Sequence, residues 1–113
     1  NEDSKPPKDF IQYKPISELP SSYKDISYSI KDYDKVQELQ DLLLNFKHEI
    51  LNNVFIFDYF KNEKKNEIKI GFRLIFQSKE RTLTSGQIEN VLKDIIAQSL
   101  KISGINIPGF NLN

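Results

Sequence analysis

Val54-Phe55-Ile56-Phe57-Asp58-Tyr59-Phe60, the charged run from Lys61 to Glu67, and then Ile68-Lys69-Ile70-Gly71-Phe72-Arg73-Leu74-Ile75-Phe76-Gln77 decide the fold. The first segment is aromatic and β-branched, the side chains that suit a pleated, half-buried surface. In the last, apolar residues recur at every second position, the period of a strand with one face on a core. Two such segments joined by a short polar stretch predict an antiparallel hairpin. Strict alternation groups Phe55, Phe57 and Tyr59 on one face and Val54, Ile56, Asp58 and Phe60 on the other. In the second strand Ile68, Ile70, Phe72, Leu74 and Phe76 point inward, and Lys69, Gly71, Arg73, Ile75 and Gln77 point outward.

Upstream of the hairpin, Tyr23 to Ile30 alternates Ile26, Tyr28 and Ile30 with Asp25, Ser27 and Ser29, which predicts another strand. Lys31-Asp32-Tyr33-Asp34 then opens a helix, with Asp34 expected as N-cap and Gln37 three residues on. Val36, Leu39, Leu42, Leu43 and Phe46 follow helical spacing, and the helix is expected to end between Lys47 and Asn53. Downstream, Thr84-Ser85-Gly86-Gln87 fits a capping box, and Ile88, Val91, Leu92, Ile95, Ile96 and Leu100 form the apolar stripe of a second helix. Ser103-Gly104 breaks it. Ile105-Asn106-Ile107 is a short last strand, stopped by Pro108-Gly109. The order β-α-β-β-α-β implies an α+β fold of ferredoxin-like type, a four-stranded antiparallel sheet with two helices on one face. Residues 1–9, polar and with two prolines, read as a linker or arm, and residues 10–113 as the domain. Phe10 to Pro15 is expected to be an extended segment, and Ser17 to Ser22, with Pro20, a turn.

A chain of 113 residues has room for one core. It lacks an initiator Met, so it is expected to be a piece of something longer or a processed product. No apolar run approaches the ~20 residues that span a bilayer, and the first residues have no signal-peptide character. With no cysteine there is no disulfide scaffold, thiolate metal site or Cys nucleophile. Lys plus Arg and Asp plus Glu are both 16. That balance argues against strong sequence-independent attraction to nucleic acid, so any RNA contact must rest on a local surface.

No enzyme motif stands out. The lone histidine, His48, reads as a partly exposed residue near a helix C-terminus, with no second ligand at metal-binding spacing. There is no phosphate-cradling glycine loop and no nucleophile–base–acid order. What remains is the sheet face that two helices leave uncovered. Ser27, Ser29, Asp58, Phe60, Lys69, Gly71 and Arg73 are expected on it. Phe60 offers a stacking surface, Asp58 an acceptor for a guanine edge, Ser27 and Lys69 further hydrogen bonds, and Gly71 room for close approach, the combination by which unpaired bases are recognised. The pattern is equally that of a solvated sheet face, or of one covered by a partner domain. Arg81 either contacts RNA phosphate or fixes its own loop through Glu80 or Asp58. A regulatory or protein-interaction module of the ACT type is the principal rival, although such modules use Gly-rich loops that this chain lacks.

Tyr13-Lys14-Pro15 with Pro20, Tyr23-Lys24-Asp25-Ile26-Ser27, Phe57-Asp58 and Glu80-Arg81-Thr82-Leu83 fall in one characteristic order and spacing. In these, residues 10 to 110 resemble the C-terminal anticodon-binding domain of phenylalanyl-tRNA synthetases, and the Lys-Pro-Ile-Ser and Gly-Phe stretches resemble the single-chain organellar type. The resemblance implies a ferredoxin-like domain that binds the anticodon of phenylalanine tRNA. The wobble guanine would stack at Phe60, where the family often has Tyr. Polar contacts would come from Ser27, Asp58 and Lys69, with Arg73 and Arg81 as further RNA-binding candidates. It implies a parent class II ligase of the mitochondrion or another organelle. That ligase's catalytic domain, on the same chain, uses ATP and Mg²⁺. None of this machinery is in these residues, so the chain alone is expected to be a monomer that does not aminoacylate.

Overall fold

The computed structural model describes residues 21–108. The expected arm at residues 1–9, the extended segment at Phe10 to Pro15, most of the following turn and the Gly-Phe of the tail lie outside them. The described elements run in the expected order: β1 (Ser22–Ile30), α1 (Val36–Leu44), β2 (Leu51–Asn62), β3 (Glu67–Phe76), α2 (Ser85–Ser99) and β4 (Ile105–Asn106). They form one antiparallel sheet of order β2-β3-β1-β4, with β3 and β1 central. This is the ferredoxin-like α+β arrangement.

One face of the sheet carries the core. Ile26, Tyr28 and Ile30 of β1 and Ile68, Ile70, Phe72, Leu74 and Phe76 of β3 are buried against Leu39 and Leu43 of α1 and Ile88, Val91, Ile95 and Ile96 of α2. The alternation of β1 and β3 and the stripe of α2 therefore do what their periods require. Tyr28 meets Phe72 edge to face at 5.8 Å, and its hydroxyl donates to Ser99 Oγ at 3.0 Å. Ser99 in turn donates to the Ile96 carbonyl, so the buried polar pair is satisfied. Burial pushes the Tyr28 phenol up to about 12, against a smaller lowering by the Ser99 hydrogen bond.

The start of α2 is as expected: Thr84 Oγ1 accepts from the Gln87 amide while Gln87 Oε1 accepts from the Thr84 amide, a complete capping box. The start of α1 is not. Asp32 Oδ1 accepts from the Asp34 amide and caps a 3-10 turn, Tyr33–Lys35, and the helix follows with Lys35, not Asp34, at its N-cap position and no side-chain cap. The helix also stops earlier than expected, at Leu44, where Asn45 Nδ2 donates to the Asp41 carbonyl and ends the ladder. β2 is correspondingly longer, taking in Leu51 to Asn53 because Leu51 pairs with Phe76. The hairpin turn closes at Asn66, whose φ of 52° suits a short polar side chain.

The largest departure from strict alternation is in β2. Ile56 pairs with Phe72 and Asp58 with Gly71, so Phe57 is an extra residue with no partner on β3. This is a β-bulge, and it resets the face of everything after it. Val54 and Ile56 stand on the helix side opposite Leu74 and Phe72, whereas Asp58 and Phe60 stand on the open side opposite Gly71 and Lys69. Phe55 and Phe57 join the open side, and Tyr59, opposite Ile70, does not share their face.

Candidate nucleic-acid interface

The open face is ordered in rows by the pairing of β1, β3 and β2. Ser27, Gly71 and Asp58 form one row; Ser29, Lys69 and Phe60 the next; and Asp25, Arg73 and Phe55 the one on the other side. Strands lie ~4.8 Å apart and same-face rows about 6.6–7 Å apart. All seven residues expected on this face therefore fall in three adjacent rows across three neighbouring strands, and the bulge is what brings Asp58 and Phe60 to join the other five.

Their accessibility differs. Ser27, Asp58, Lys69 and Phe60 are exposed, Phe60 to 55%. Ser29 is buried to 2%, its hydroxyl donating to the Glu67 carboxylate. That hydrogen bond is the main reason Glu67 sits below the usual carboxylate range, with Lys69, Lys31 and Lys65 adding to it. Ser29 is thus occupied, while Ser27 in the neighbouring row is open.

Arg73 is more constrained than its position suggests. Its Nε and Nη2 donate to the two oxygens of Asp25 at 2.8 and 3.0 Å, a bidentate pair between directly opposed residues of β1 and β3. The guanidinium lies between two rings, 4.3 Å from the centroid of Tyr23 and 4.9 Å from that of Phe57. The hydrogen bond from Arg73 holds Asp25 below the usual carboxylate range, and Asp25 raises Arg73 in return. The charge is therefore matched inside the protein, and the cluster Tyr23–Arg73–Phe57 acts as one packed unit.

Gly71 is close-packed rather than open. A Cβ at this position would meet Cε1 and Cζ of Phe57 at 2.8 and 2.9 Å, so the tip of the bulged ring rests on the glycine. Glycine is what lets Phe57 lie down on the sheet.

Arg81 stands apart from this face. It lines a cleft of about 310 Å³ with His48, Glu49, Ser78, Glu80 and Asp94, beside the start of α2. His48, past the end of α1, accepts from the Ile50 amide through Nδ1. No cluster of metal-binding side chains occurs among the described residues, and none of their helices is long and apolar enough to cross a membrane.

Sequence reasoning did not place Tyr23, Asp25, Phe55 and Phe57 at this site. The signal for Asp25 was available: it faces Arg73 once β1 and β3 are put in register. For Phe55 and Phe57 there was none, because a bulge leaves no local mark in a run of aromatic residues.

Comparison with known proteins places this geometry in context. The model of the ferredoxin-fold anticodon binding domain matches residues 17–107. The chain is 27% identical over 95 residues to the chloroplastic and mitochondrial phenylalanine–tRNA ligase of Arabidopsis thaliana, covering 81% of this chain and 22% of that protein. It is 33% identical over 87 residues to the β subunit of phenylalanine–tRNA ligase of Chlamydia caviae, covering 75% of this chain and 11% of that protein. With the probable mitochondrial phenylalanine–tRNA ligase of Drosophila melanogaster it shares 26% over 102 residues, 85% of this chain and 22% of that one. The chain thus spans about a fifth or less of the curated relatives it matches.

Proposed function

This chain belongs to the ferredoxin-fold anticodon-binding domain family, and from that premise we propose that its open sheet face grips the anticodon loop of phenylalanine tRNA on behalf of a phenylalanine–tRNA ligase. The observation that carries the reading is the row structure of that face: an exposed ring, Phe60, diagonal to a carboxylate, Asp58, with Ser27 across the glycine of β3 and Lys69 beside the ring. In this reading the wobble guanine stacks on Phe60. Its Watson–Crick edge presents N–H donors, which a carboxylate accepts and a lone ammonium cannot; Asp58 is therefore the residue that selects guanine. Ser27 and Lys69 add hydrogen bonds to the base or its sugar–phosphate. Arg73, matched by Asp25, stiffens the platform, and Arg81 acts away from the base, in its own loop.

The ligase reaction itself would belong to a catalytic part beyond these 113 residues, where ATP and Mg²⁺ are used, with this domain holding the far end of the tRNA. The single-chain relatives named for chloroplasts and mitochondria support an organellar enzyme. The equal numbers of acidic and basic residues fit a domain that supplies base selection while affinity comes largely from the rest of the enzyme.

The test is fluorescence-detected binding of the 113-residue chain to a phenylalanine-tRNA anticodon stem-loop, beside a loop with its wobble guanine changed and a Phe60→Ala chain. Binding weakened by either change supports base recognition on this face; a lost stack is worth roughly 1–3 kcal/mol. Equal affinity in all three arms would leave only phosphate attraction and sink the reading.

A further inference from the structure

We propose, resting on that reading, that the open face carries a second stacking platform at Phe57, so that it takes two neighbouring unpaired bases of one RNA loop, the first on Phe60 and the second on Phe57. Phe57 has the properties of a built platform. It is 41% exposed although the helix side of the same sheet has a core for rings. It is placed by a bulge, the device that re-aims a side chain beside a site. Its tip is seated on Gly71, and the Arg73 guanidinium, itself fixed by Asp25 and Tyr23, lies over the ring at 4.9 Å from its centroid. A ring held on two sides loses little further freedom when a base stacks on it, which favours affinity. Because Asp25 matches the charge of Arg73, the ring, not the cation, is what this part of the face offers a ligand.

The spacing selects the occupant. Phe57 lies at Gly71 and Phe60 opposite Lys69, two residues apart along β3, about 6.6–7 Å. Bases stacked on each other rise ~3.4 Å per step, so two stacked bases capped by a ring at each end would need the rings about 10 Å apart. The strand positions are closer than that, and two rings side by side on the sheet match two splayed bases that each have their own ring, the form in which single-stranded loops are read. Asp58 lies between them in the strand and can reach only one base edge, so the second base is held by stacking with little selection.

The experiment uses stem-loops with one abasic nucleotide at a time through the anticodon loop, bound to the wild-type chain and to Phe60→Ala, Phe57→Ala and Phe57→Leu, the last keeping apolar bulk at the bulge. Circular dichroism confirms that each variant is folded. Phe57→Ala and Phe57→Leu are each expected to weaken binding roughly 5- to 150-fold. Each variant should become insensitive to the removal of one base, and that base should differ between Phe57 and Phe60. If both rings couple to the same base, or folded Phe57 variants bind like wild type, the second platform is wrong while the anticodon reading stands. A wild-type chain that binds none of the loops overturns both.

Discussion

The two faces of this sheet are made by the same strands and both carry phenylalanine, yet only one hides it. Phe72 and Phe76 on the helix side are 0% exposed, whereas Phe55, Phe57 and Phe60 on the open side keep 39, 41 and 55% of their surface. Composition does not distinguish them. What does is register: β3 is a central strand that points its even-numbered residues at two helices, and β2 is an edge strand in which Phe55 already faces away from them and the bulge at Phe57 moves Phe60 to the same open side. The helix-side rings stabilise the fold, and the open-side rings stay on the surface.

The comparison is broken most severely at its closed side. Phe72→Ala removes a fully buried ring and its edge contact with Tyr28. A loss of about 3–5 kcal/mol is expected, measured by urea unfolding. For a domain of this size that is a large part of the whole stability. A loss below about 1 kcal/mol would mean that the core collapses around the gap, and that the two faces differ less than the burial suggests.

Alkaline pH should probe the same side with a smaller effect. The buried Tyr28 phenol ionises at about 12 in the folded chain, against ~10 for an unburied tyrosine. The folded state holds the proton more tightly, so the unfolded state loses it first and gains from rising pH. Stability is therefore intact below about pH 10 and declines through about pH 12, by on the order of 2–3 kcal/mol. Unfolding curves of wild type and Tyr28→Phe isolate this residue: wild type should lose that much more than the variant across the window. Parallel decline of the two would show that Tyr28 is not the group responsible.

How much of each face was legible differs for physical reasons. The closed face was written locally. Ile26, Tyr28 and Ile30, the even residues from Ile68 to Phe76, and the stripe of α2 all follow the period of their own element, and Thr84 with Gln87 announces its own cap. The start of α1 was misread because Asp34 lies inside a 3-10 turn capped by Asp32, and the helix begins only after that turn, with no side-chain cap of its own. The open face depends on pairing. Asp58 and Phe60 reach it through a bulge that no residue type signals, since Phe57 is itself a good strand former. Phe57 can occupy the bulge because Gly71, on another strand, leaves room for its ring. Likewise the engagement of Arg73 is set by Asp25, 48 residues away in the chain. Arg81 was grouped with the site on chemistry, and the loop that carries it leads to the α2 side.

The smallest expected effect on stability is the sharpest for the comparison. Phe60→Ala deletes the most exposed phenylalanine of the open face, a ring opposite Lys69 on an edge strand. If the two faces divide their labour as argued, thermal or urea unfolding should change by only about 0.5 kcal/mol, the range of ordinary surface substitutions. The same substitution should cost binding to the anticodon stem-loop, so one residue separates the two roles. A destabilisation nearer that of Phe72→Ala would show that Phe60 packs as part of the fold. In that case its exposed ring would be one edge of a buried cluster, and the open face could no longer be read as surface kept free for a base.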